Sequence, residues 1–133
     1  CDVLSDILVT NPGKTAGFFP DASVVCGPVD ATQIQSSVIA SPCIVVEVLS
    51  KFTRNYDQGD KSLEYKKIST MQYYLLVDSQ KMYLQLHARE SNGSWRVTEL
   101  TERSEYLYLP VYEVRISMDT IYGRIRFDNA EAN

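Results

Sequence analysis

The sequence predicts an α/β protein built on a mixed sheet, and three observations carry that prediction. Ile44 to Leu49 (IVVEVL) and Tyr73 to Val77 (YYLLV) are short runs rich in β-branched and aromatic residues, the composition of strands covered on both faces. Between them, Tyr56 to Ile68 is mostly helix-compatible, so a helix leads from one strand to the next. After them, Lys81 to Ala88 alternates apolar and polar side chains, and Ser91-Asn92-Gly93 turns the chain back into Trp95 to Leu100. This last pattern is an antiparallel meander.

The remaining elements follow in order. Val3 to Val9 reads as one strand, stopped by Asn11-Pro12-Gly13. Ala22 to Cys26 (ASVVC) is a second short strand, closed by Gly27-Pro28. Residues 30–41 are polar and small, with Ile34, Val38 and Ile39 as anchors, and read as a loop crossing the sheet edge. Ser50 to Asn55 supplies turn and cap formers. In the helical stretch Tyr56, Leu63 and Ile68 are the expected buried side, and Gly59 weakens the first turn. At the hairpin, Asn92-Gly93 is expected to supply positive φ angles. Tyr106 to Leu109 and Val111 to Ile116 add extended pieces, Ser117 caps a final turn from Met118 to Tyr122, and the polar tail DNAEAN is expected to fray. With no repeat, low-complexity tract or linker, residues 1–133 are expected to form one domain.

Composition narrows the function classes. A hydrophobic share of 44% and a charged share of 23% are those of a globular protein with one core. No stretch approaches the roughly 20 apolar residues that span a bilayer, so no membrane role is expected. The opening CDVLSDILVT lacks the basic and long apolar regions of a signal peptide. Cys26 and Cys43 sit in apolar strand-like runs, and with Cys1 make an odd number without metal-ligand spacing. They are expected to be buried free thiols, which points to the cytoplasm. The chain starts at a cysteine inside a strand, and further residues are expected before it. A net charge of −4 argues against a broad non-specific nucleic-acid surface. Residues 51–67 are nonetheless locally basic, with Lys51, Arg54, Lys61, Lys66 and Lys67 against Asp57, Asp60 and Glu64. No Ser-His-Asp set, glycine-rich phosphate loop or CxxC pair is present.

The residue that asks for an explanation is Glu47. It stands in the middle of an apolar strand, and burying an unpaired carboxylate costs roughly several kcal/mol. Such an acid is tied to a metal, a partner charge or chemistry. By strand alternation Glu47 shares a face with Val45, Leu49 and Lys51. Asp21 immediately precedes another strand; if the two strands are neighbours, two carboxylates converge. Paired carboxylates with water form a hard-oxygen site for Mg²⁺ or Mn²⁺. Each residue also has a plainer reading. Asp21 after Pro20 could be a turn residue, and Glu47 could pair with Arg54 or Lys51. Lys61, four residues after Asp57, could be half of an exposed helical pair worth only ~0.3–0.5 kcal/mol. Tyr65 lies one turn beyond Lys61 and either packs or touches the site. His87 reads as a hydrogen-bonded sheet residue, Trp95 as packing, and the nine tyrosines as packing more than as base-stacking platforms.

Taken together, Pro20-Asp21, VVEVLS, YDQGDK with SLEYKKI, QYYLLVD and the IY of MDTIY resemble the bacterial restriction endonuclease family of the Uma type. That family looks like a branch of the PD-(D/E)xK nuclease superfamily. The resemblance runs from about Phe19 through Trp95. It implies a restriction-endonuclease-like mixed β-sheet flanked by helices, with the meander at its C-terminal side. It further implies a Mg²⁺- or Mn²⁺-dependent phosphodiesterase site acting on DNA, and by analogy a homodimer. Asp21 matches the aspartate of the PD element and Glu47 the acid of the central strand. The backbone carbonyl of Val48 is the implied third ligand. The lysine usually found two residues after the acid is replaced by Leu49, and the family pattern moves that function to Lys61 on the following helix. Lys51, Arg54 and Lys66 are then candidates for phosphate contacts, which position the substrate without specifying sequence. The missing N-terminal section and the displaced lysine leave an alternative of another class, a non-catalytic binding or assembly module on the nuclease fold. A sugar- or nucleotide-binding α/β domain is a third possibility.

Overall fold

The computed structural model describes residues 1–11, 13, 17–28, 38–50 and 59–127. Its centre is a six-stranded sheet in the order β1-β4-β6-β7-β8-β9. These strands are β1 (Asp2–Leu4), β4 (Ala22–Val25), β6 (Ile44–Leu49), β7 (Tyr73–Asp78), β8 (Leu84–Arg89) and β9 (Trp95–Leu100). Within this sheet β6 and β7 are the parallel pair, which requires a crossover, and the helix α1 (Asp60–Lys66) lies in that connection. The other neighbours are antiparallel, so the sheet is mixed as expected. A small sheet in the order β3-β2-β5 joins β2 (Leu8–Thr10), β3 (Gly17–Phe18) and β5 (Val38–Ile39).

Val3 to Val9 is not one strand. Asp6 takes a left-handed conformation at φ 56°, which breaks the run. The first half, β1, pairs with β4, and the second half, β2, leaves for the small sheet. The same pairing corrects the reading of the cysteines. Asp2 lies opposite Val25, so Cys1 falls opposite Cys26, and the two form a disulfide. Only Cys43, which is buried, is a free thiol.

Strand alternation divides the core in two. One face of the sheet carries Val45, Leu49, Tyr74 and Leu76, covered by Tyr65 and Ile68 of α1 and its exit, with Met71, Val9 and the flanking rings of Phe18 and Trp95. The other carries Ile44, Tyr73, Leu75, Leu84, Leu86, Ala88 and Leu100. It is covered by the hairpin of β10 (Tyr106–Leu109) and β11 (Val114–Ser117) and by α2 (Met118–Tyr122). Coverage on this second side is incomplete: Val48 is 43% exposed, so β6 is not buried on both faces along its whole length. Two tyrosines fasten the layer. The Tyr122 hydroxyl reaches the carbonyls of Asp78 and Tyr83 at 2.7 and 2.9 Å, and Tyr73 Oη accepts from the Val111 amide at 3.1 Å.

Local chemistry explains the ends of these elements. The side chain of Ser117 accepts from the Thr120 amide at 3.0 Å and caps α2. At the β8–β9 turn only Gly93 has positive φ, at 87°, while Asn92 instead uses Oδ1 to accept from the Ser94 amide and hydroxyl. Helix α1 starts at Asp60 behind Gly59; residues 56–58 of the expected helix lie outside the described residues, as do residues 30–37 of the expected loop and the tail, while Val38 and Ile39 of that expected loop instead form β5 beside β2. The buried residues of α1 are Ser62 and Tyr65, whereas Leu63 is 64% exposed. Leu63 and Ile68 are five positions apart, too far round a helix to share a face; Lys61, Tyr65 and Ile68 do share one.

His87 shows how dry the helix-side face is. It is 5% exposed, its Nε2 meets Gln85 Oε1 at 2.7 Å, and its Nδ1 has no partner among the described residues. Burial, with the nearby charge of Lys66, pushes its pKa down to about 4. A depressed histidine pKa means that the unfolded chain takes up the proton first, so stability is full above about 6.5 and falls as pH drops toward 4. Urea unfolding at pH 7.5 and pH 5 should show a lower midpoint at pH 5. In His87→Gln the part of that difference due to this group should vanish; an unchanged pH dependence would mean that His87 does not contribute to it.

Candidate functional site

The site is assembled where β4 begins beside β6. Ala22 pairs with Val46 and Ser23 with Val45, so one step further along the ladder Asp21 falls opposite Glu47. Pro20 has no amide hydrogen and the ladder stops before it. The Val48 amide, which would otherwise face the lost strand, is taken by Asp21 Oδ2 at 2.7 Å. The side chain thus stands in for a ladder carbonyl. Asp21 is exposed, and its Oδ1 has no partner among the described residues.

Glu47 is 3% exposed, between Val45 and Leu49, which are fully buried. Its carboxylate is held from the helix. Tyr65 Oη donates to Oε1 at 3.0 Å, and Lys61 Nζ lies 3.4 Å from the same oxygen. The side chains of the ion pair are 16% exposed for Lys61 and 4% for Glu47, so the lysine reaches solvent while the acid does not. Lys61 and Tyr65, one turn apart, face the strand together. Aromatic rings wall this corner: Phe18 lies 5.4 Å from Tyr65, Tyr65 5.2 Å from Tyr74, and the Lys61 ammonium 5.7 Å from the Phe18 centroid. A cation over a ring face gains a modest attraction, roughly 0.5–1 kcal/mol.

Helix α1 has a second polar tie at its outer side. Asn11, buried beside β2, donates from Nδ2 to Glu64 Oε2 at 3.0 Å, and Lys67 donates to the other oxygen at 3.0 Å. The hydrogen bonds from Lys67 and Asn11 hold the Glu64 carboxyl below its ordinary pKa. Lys66 sits elsewhere, its ammonium 5.5 Å from the Trp95 ring centroid, and burial lowers its pKa. Among the described contacts it does not reach Glu47. Lys51 and Arg54 lie outside the described residues.

The structure therefore brings together Asp21, Glu47, Val48 and Lys61, all of which the sequence singles out, and adds Tyr65 as a direct partner of Glu47. Phe18 and Asn11 carry no sequence signal for this role, because Phe18 belongs to the small sheet and Asn11 follows directly on its strand β2, and both meet α1 only through the fold. Among the described residues no group of three or more His, Cys, Asp or Glu side chains is placed to hold a metal.

Comparison with known proteins agrees with this architecture. Residues 2–120 match the model of the Uma2 family, described as "Putative restriction endonuclease". The fold is that of a restriction-endonuclease-like nuclease: a crystal structure titled as a putative nuclease belonging to DUF820, from Anabaena variabilis, superposes with a TM-score of 0.63 over 91% of this chain and 67% of that one, at 14% identity. The chain belongs to the Uma2 family. It is similar to two uncharacterized proteins of Synechocystis, slr1290 at 36% identity over 81% of this chain and sll1609 at 28% over 73%. It spans 55% of the length of each of these relatives.

The Tyr65 bond yields a direct test. Tyr65→Phe keeps the ring packing and removes the donor to a buried carboxylate. Urea denaturation should show a loss of about 1–3 kcal/mol. No loss would mean that the hydroxyl does not bear on Glu47.

Proposed function

We propose that the domain formed by residues 1–133 is an endonuclease that hydrolyses DNA phosphodiester bonds with water, dependent on Mg²⁺ or Mn²⁺. The observation that carries this reading is the buried Glu47 carboxylate, opposite Asp21 across the β4–β6 ladder and joined to Lys61 at 3.4 Å. Family membership and the nuclease-like fold support the reaction class.

The donors fit a hard cation. Two carboxylates on adjacent strands, with the carbonyl of Val48 beside them, form an all-oxygen set with neither thiol nor imidazole in it. A bound divalent ion supplies Lewis acidity toward a phosphoryl oxygen and a more acidic water. Asp21 and Glu47 would hold it. Lys61 would stabilise the charge that grows on the phosphoryl oxygens, or take the proton of the attacking water. Its partly open position suits contact with a substrate, while Tyr65 keeps the Glu47 carboxylate in one orientation. Lys66, with Lys51 and Arg54, would position the DNA through its phosphates. Homodimerisation belongs to the same proposal, by analogy within the superfamily.

A cytoplasmic location fits a DNA substrate. The cysteines no longer argue for it, since Cys1 and Cys26 are paired. Among the described residues no helix is long and apolar enough to cross a membrane.

Plasmid nicking in Mg²⁺ or Mn²⁺ tests the proposal. Wild type should nick, and chelation should stop it. Glu47→Gln and Lys61→Met should each lower the rate by roughly 10²-fold or more, the scale of losing one preorganised electrostatic group. Nicking equal to wild type in both variants would place the activity elsewhere, and a well-folded wild type without nicking would favour a binding module on this fold.

A further inference from the structure

Helix α1 is only seven residues long, and a helix of two turns does not hold itself in water. Its position, and with it the placement of Lys61 and Tyr65 against Glu47, has to be imposed by the rest of the chain. One side chain of β8 reaches the end of this helix. Arg89, the last residue of β8, donates from Nε to the Met71 carbonyl at 2.6 Å. From Nη2 it donates to the carbonyls of Lys66 and Ile68 at 3.1 and 2.9 Å. Lys66 ends the helix, and Ile68 and Met71 lie in the turn that leads into β7.

Three features set this contact apart from an ordinary surface arginine. First, its bonds go to backbone carbonyls, and among the described residues no carboxylate lies within ion-pair distance of the guanidinium. Its charge is thus directed at the C-terminal end of the helix, the end whose dipole favours a cation. Second, the planar fork spans carbonyls of three different residues, a geometry that a lysine ammonium does not reproduce. Third, the guanidinium is covered by Trp95, with Cζ 4.6 Å from the ring centroid. Trp95 is the first residue of β9, opposite Arg89 in the ladder, so the sheet itself backs the clamp.

We propose that Arg89 is a positioning residue of the site: by gripping the C-terminal end of α1 it fixes the helix at the height and rotation at which Lys61 and Tyr65 meet Glu47. The idea rests on the nuclease reading only for its catalytic consequence. Its structural core is independent of that reading.

The test separates the two. A double-mutant cycle on urea stability combines Arg89→Met, which keeps an unbranched aliphatic side chain, with Tyr65→Phe. If Arg89 places the helix, the stability cost of Tyr65→Phe should fall by at least half in the Arg89→Met background, because the Tyr65–Glu47 bond is already loosened. Strict additivity would overturn the proposal, since independent sites add and coupled ones do not. Hydrogen exchange on the same variant should quicken for residues 60–67 by at least tenfold and leave β7 within twofold of wild type. Equal acceleration in both would assign Arg89 a purely structural role. Should Arg89→Met fail to fold, Arg89→Lys carries the same cycle, with coupling again the expected result and additivity the contrary one. Where wild type nicks DNA, Arg89→Met should lower kcat by tenfold or more with KM within threefold. A fall confined to KM would count against positioning. A wild type that does not nick fails the nuclease reading alone, and the cycle still decides for or against Arg89.

Discussion

The structure depends on one buried charge. Glu47 sits in the middle of the strand around which the sheet is ordered, on the face that α1 covers, and is 3% exposed. A carboxylate in that position is tolerable only if something meets it, and a buried ion pair often gains no more than an apolar pair of the same volume. Lys61 and Tyr65 meet it from a single short helix. The cost of the arrangement is therefore distributed: the helix must be held, and Asn11, Arg89 and the aromatic wall of Phe18, Tyr65 and Tyr74 hold it. That a stable core would be simpler without Glu47 is itself the physical reason to read the residue as functional.

Asp21 answers a different constraint. It closes the β4–β6 ladder by accepting the Val48 amide, so the residue proposed to hold the cation also has a structural duty. The two duties are compatible because a carboxylate has two oxygens, and the Val48 amide takes only one of them. The strand end, the proline and the acid thus form one device: Pro20 ends the pairing, and Asp21 repairs it while presenting charge.

Much of this was legible in the chain. β6, β7 and the β8–β9 hairpin follow from composition and alternation, and Ser117 announces its helix by type and position. The acid in the strand was visible because its neighbours are so apolar. Other features depend on tertiary pairing and leave no local trace. Asp6 breaks the first strand by its backbone conformation alone, and Cys1 meets Cys26 only because β1 pairs with β4 in one register. Leu63 looked like a core residue, yet the helix is phased by Tyr65 and Ile68, and leucine is left in solvent. Lys61 resembled an ordinary helix-surface cation. Its contact with Glu47 spans fourteen positions, a separation of no special periodicity. The clamp from Arg89 is hidden for the same reason, since its partners are carbonyls, which any residue supplies.

Asp21 and Glu47 are proposed to hold one cation between them. Calorimetric titration of the apoprotein with Mn²⁺, without DNA, tests it most directly. One ion should bind per chain, with binding weakened at least tenfold by Asp21→Asn and by Glu47→Gln alike. Binding of wild-type strength in both variants would contradict it.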